Sequence, residues 1–176
     1  MILGMSTATF TLLHVIISLV GIFTGFVVMT AMCLGKRANG WTGIFLFTTV
    51  LTSVTGFMFH SAKIGPPHIV GAISLVVLAV CLLALYAYHL AGAWRWIYVV
   101  TAVLAQYLNV FVGVVQAFQK IPFLNQFAPK GNEPPFAIVQ GLVLLIYIVT
   151  AYIGVKKFYP ERFRGPAGAT RIPVSR

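Results

Sequence analysis

Residues 68–91, HIVGAISLVVLAVCLLALYAYHLA, run for 24 positions without a lysine, arginine, aspartate or glutamate. About 20 apolar residues in a helix cross the ~30 Å hydrocarbon layer of a bilayer. Inside that layer there is no water to bond the backbone, so a helix is the form in which a single segment satisfies its own N–H and C=O groups. The stretch reads as a transmembrane helix.

Working outward, further apolar runs occupy about 10–34 and 42–60 on one side and about 96–118 and 136–156 on the other. Of 176 residues 60% are hydrophobic and 8% charged, whereas an average soluble domain has ~25% charged residues. A water-facing surface could not be covered with so few polar groups. The expected fold class is therefore all-α: an integral membrane helical bundle of five transmembrane helices. It forms a single domain over 1–156, with an outer loop at 119–135 and a basic tail at 157–176. Pro66 and Pro67, and later Pro134 and Pro135, stand where helices begin, a position that tolerates the missing N–H.

Basic residues set the expected orientation. With the N-terminus outside, Lys36, Arg37, Arg95, Lys156, Lys157, Arg162, Arg164, Arg171 and Arg176 are cytoplasmic, and Lys63, Lys120 and Lys130 are not. This is the positive-inside bias. Trp41, Trp94 and Trp96 then form an aromatic belt at the cytoplasmic interface. Residues 1–10 lack a positive n-region, so the first run reads as a retained helix and not as a cleaved signal. The net charge of +10 follows apolar flanks and the tail, a pattern suited to the lipid bilayer, with anionic lipids at the tail, and not to nucleic acid. Cys33 and Cys81 fall inside apolar runs without CxxC spacing and read as small hydrophobes. The expected location is a bacterial inner (plasma) membrane.

The histidines are the candidate chemistry. At 1.5 Å per residue, His14 lies roughly 12 Å outward from the middle of the first span and His60 roughly 13 Å outward in the second. His68 opens the third span on the same side, and His89 lies at the opposite face, where it reads as an interfacial residue capping a helix end. Beneath the outer histidines run stripes of small residues at helical spacing: Ser18, Gly21 and Gly25 below His14, and Gly56, Ser53 and Thr49 below His60. A small-residue groove below an imidazole leaves room for a flat macrocycle. The b-type membrane cytochromes ligate haem iron axially in this way. Haem b held by His14 and either His60 or His68, with Gly21, Gly25 and Gly56 giving it space, is thus one expectation. Copper or zinc on His14, His60 and His68 is another, since neutral imidazole suits both metals. The plain alternative has no cofactor: Gly21 and Gly25 form a GxxxG, and small residues let helices pack closely.

In the fourth run Gln106, Asn109, Gly113 and Gln116 share one face, which Gln140, Tyr147 and Thr150 of the last run can meet. Amides at that depth must find partners, either as glue between helices or as the wall of a polar cavity, and glue is the expectation. The apolar connection 119–129 is expected to lie along the interface, where it can cover the outer histidines. Glu133 is expected to form a surface salt pair with Lys130. No phosphate loop, paired carboxylates, nucleophile elbow or zincin motif is present. Three functions stay open: a haem-b electron-transfer module, a transition-metal handling protein, and a non-catalytic accessory subunit bound to other membrane subunits or to copies of itself.

Overall fold

The computed structural model describes residues 4–59 and 65–159. These residues are all-α. α1 spans Thr7–Cys33, α2 Asn39–Gly56, α3 Pro66–Leu82, α4 Trp94–Lys120, α5 Pro122–Asn125 and α6 Pro134–Lys157. A π-helical turn, Leu83–Ala87, continues α3.

Local chemistry accounts for the helix ends. The Ser6 hydroxyl accepts the Thr9 N–H at 3.1 Å and caps α1. Gly35 ends that helix with φ 71, and a Cβ there would sit 2.8 Å from the Lys157 carbonyl oxygen. Only glycine meets both demands. After the π-helical turn the chain reverses through His89 and Leu90, at φ 49 and 62, with the Leu90 N–H returning to the Ala84 carbonyl. The third helical run therefore stops before the expected 91.

α4 is the central helix. It contacts α1, α3, α5 and α6, while α1 pairs with α2 and α2 with α3. Ala102 and Ala105 of α4 are fully buried, and a Cβ at Gly154 of α6 would come 2.8 Å from Val99 Cγ1. Small side chains thus let these helices approach closely. The outside is apolar, with Phe47, Val76, Leu145 and Tyr152 all more than half exposed. Such an exterior suits lipid better than water.

Among the described residues four helices are long and apolar enough to cross a membrane: Thr7–Cys33, Pro67–Ala87, Trp94–Lys120 and Pro134–Lys157. α2 is not among them. It covers 18 residues and carries Thr42, Thr48, Thr49, Thr52, Ser53 and Thr55, which lower its hydropathy. Several of these hydroxyls bond their own helix: Thr48 donates to the Ile44 carbonyl at 2.7 Å and Ser53 to the Thr49 carbonyl at 2.9 Å. Such back-bonding removes the need for water. α2 also begins and ends earlier than the expected 42–60. The tail from 160 onward lies outside the described residues, as does His60.

Candidate functional site

His14 sits two turns into α1. Its Nδ1 lies 2.8 Å from the Thr55 hydroxyl of α2, and that hydroxyl donates to the Leu51 carbonyl at 2.7 Å. A hydroxyl has a single hydrogen, so Thr55 accepts from His14. In that arrangement the neutral imidazole carries its proton on Nδ1, and Nε2 has no hydrogen-bond partner among the described residues. Phe59 meets the ring edge-on at 5.2 Å. Gly56 lies alongside, where a Cβ would stand 3.9 Å from His14 Cε1.

His68 has the opposite arrangement. It stands in the first turn of α3, and its Nδ1 accepts the Gly65 N–H at 3.3 Å. The neutral ring then holds its proton on Nε2. Binding a metal through Nε2 would require breaking that cap. Its ring packs 5.9 Å from Phe57, so His14 and His68 have separate partners. Among the described residues no three His, Cys, Asp or Glu side chains stand together as a metal site.

The groove below His14 is filled by protein. A Cβ at Gly21 would stand 3.2 Å from the Thr48 hydroxyl and 3.6 Å from that of Thr49, and one at Gly25 would overlap the Gln106 carboxamide. In this structure Thr48, Thr49 and Gln106 take the space along Gly21 and Gly25. The same contacts show what the polar face of α4 does. Gln106 Nε2 donates to the Ile22 carbonyl of α1 at 2.8 Å, and Asn109 Nδ2 donates to the Thr49 hydroxyl of α2 at 3.0 Å. Gln140 of α6 donates to the Phe111 carbonyl of α4 at 3.1 Å. Four helices are joined by three amides.

The face is not wholly satisfied. Gln106 Oε1 and the Tyr147 hydroxyl are buried without a hydrogen bond, and the two side chains adjoin. Gln116 is exposed and outside this set, and Thr150 bonds the Ile146 carbonyl of its own helix.

In the connection between α4 and α6, Pro122–Asn125 packs on α4, and Ile121, Phe123 and Phe127 are exposed. Glu133 is not bonded as expected. Its carboxylate accepts the backbone N–H groups of Lys130 at 2.9 Å and Asn132 at 3.1 Å. The Lys130 amide is the main cause that holds its pKa below the ordinary glutamate value. A carboxylate one residue before a helix suits turn amides and the helix dipole better than a mobile ammonium.

One residue counted only for its charge has a structural task. The Arg95 guanidinium donates from Nη1 to the carbonyls of Val155 at 2.9 Å and Phe158 at 2.8 Å, and lies 4.1 Å over the Tyr159 ring. It satisfies carbonyls that the end of α6 leaves open. The available signal was its isolation: no other lysine, arginine, aspartate or glutamate lies between Lys63 and Lys120. No family model, curated protein or solved structure matches this chain.

Proposed function

We propose that the chain is a non-catalytic subunit of a larger membrane assembly, and that it serves as a helical packing element. The carrying observation is the use of its polar groups. Gln106, Asn109 and Gln140 spend their amide donors on neighbouring helices, and Gln106 fills the space above Gly25. The membrane-spanning part of α6 is the least buried of the four candidate spans, which leaves it the largest free face for another subunit.

In this reading the chain crosses the bilayer five times, N-terminus outside. α2 counts as a crossing because it runs back along α1 after a short turn. Its 18 residues cover about 27 Å at 1.5 Å per residue, close to the hydrocarbon thickness.

The test is extraction from source membranes in a mild detergent or a native nanodisc, followed by mass measurement. The expected result is a particle containing this 19.2 kDa chain with a second polypeptide in fixed ratio. A photo-crosslinker at Leu145 should capture that polypeptide. A population made only of single chains would overturn the proposal.

A second reading has one observation in its favour, the Nε2 of His14, which has no hydrogen-bond partner among the described residues. That nitrogen can ligate haem iron, copper or zinc, and His60, one of the two expected partners beside His68, lies outside the described residues. Iron, copper or zinc bound in unit ratio and lost in His14→Ala would favour it.

A further inference from the structure

At the basic end of the bundle a cavity of about 120 Å³ opens between the α1–α2 turn, the π-helical turn, the start of α4 and the end of α6. A water needs about 10–15 Å³ of such space, so the cavity accommodates several waters or one tetrahedral oxyanion. Its walls are of two kinds. Met32 and Phe158 supply apolar lining, while Lys36, Arg37, Thr42 and Tyr98 supply polar lining. Tyr98 is 3% exposed, and its hydroxyl adjoins that of Thr42.

Charge makes this combination informative. The chain has two acidic residues, Glu133 and Glu161. Glu133 precedes α6 at the opposite end of the bundle, and Glu161 lies outside the described residues. Arg95 is already engaged by the α6 carbonyls. Lys36 and Arg37 therefore line the cavity without a carboxylate beside them among the described residues. A cavity serving only as a packing defect would be apolar throughout, and two cations serving only as topology signals need no cavity behind them.

We propose that this cavity binds a phosphate group carried by an anionic phospholipid. The phosphate meets Lys36 and Arg37, whose planar guanidinium suits two oxygens at once, and the Tyr98 and Thr42 hydroxyls offer further donors. The apolar part of the lipid follows Met32 and Phe158 toward the hydrocarbon. Trp41, in the first turn of α2, places the site at the depth where headgroups lie. The inference rests on this cavity alone and stands whether or not the chain belongs to a larger assembly.

Native mass spectrometry of the full chain in neutral detergent tests it, with added phosphatidylglycerol, phosphatidylcholine or inorganic phosphate. One phosphatidylglycerol per chain should be retained, and phosphatidylcholine should not. Replacing both cations, K36Q with R37Q, should weaken retention about tenfold or more, because each basic residue contributes to holding an anionic lipid. K156Q with K157Q removes equal charge at the same end, away from the cavity lining, and should weaken it less than about twofold. The exchange K36R with R37K should preserve binding and show that the cations, not the fold, are responsible. Equal loss in both Gln pairs would mean diffuse surface attraction and would overturn the site, as would full retention in K36Q with R37Q. If inorganic phosphate displaces the lipid with the same dependence on Lys36 and Arg37, the phosphate chemistry stands and the lipid source is wrong.

Discussion

Gly25 has a hydrogen where other residues have a side chain, and Gln106 of α4 takes the space. The helical spacing of Gly21 and Gly25 was legible in the sequence, but their occupant was not. Spacing states which residues share a face and is silent on what packs there. The same limit applied to His68, whose bond from the Gly65 N–H depends on a backbone turn that residue types alone do not specify. A coupled pair of substitutions tests the packing. Gly25→Ala should lower stability in detergent by about 1–3 kcal/mol, because the new methyl displaces the carboxamide. Gln106→Ala should cost about 1 kcal/mol through the lost bond to Ile22. In the double variant the methyl has room, so the losses should be well below additive. Melting curves that give simple additivity would show that the two residues do not meet.

At the scale of the element, α1, α4 and α6 fall within a few residues of the apolar runs that announced them. Ser6 marks the start of α1 and Pro134 that of α6. α2 was less legible at its ends. Its threonines reduce the apolar signal while bonding their own helix, and no proline or glycine follows Gly56 to mark the stop. The end of α6 is held from outside by Arg95, a contact between residues 60 and 63 positions apart that no local pattern encodes. Arg95→Leu should release the last turn of α6, at a loss of about 1–2 kcal/mol for a part-buried charged donor. Arg95→Lys should restore only part of it, since a point ammonium cannot match the fork. Hydrogen exchange at the Phe158 amide, which bonds the Gly154 carbonyl, reports the effect. Unchanged protection in Arg95→Leu would remove Arg95 from the account of that helix end.

Across the whole molecule, the apolar exterior and the amide-joined interior point to one design: lipid outside, and polar groups within used to fix helix against helix. The membrane class was legible because composition alone carries it. The use of the polar groups required the packed structure. Orientation is open to direct measurement. A topology reporter fused after Arg176 should be active only in its cytoplasmic form, and one inserted at Asn132 should report the exterior, as the distribution of basic residues requires. Reversed signals would invert the bundle and put Lys36 and Arg37 outside. The central claim is that the space below His14 belongs to packing and not to a cofactor, and the visible absorption spectrum of dithionite-reduced protein from haem-replete cells tests it most directly. The account predicts a spectrum without haem bands, because Gln106, Thr48 and Thr49 occupy the groove. Sharp alpha and Soret bands that disappear in His14→Ala would contradict it.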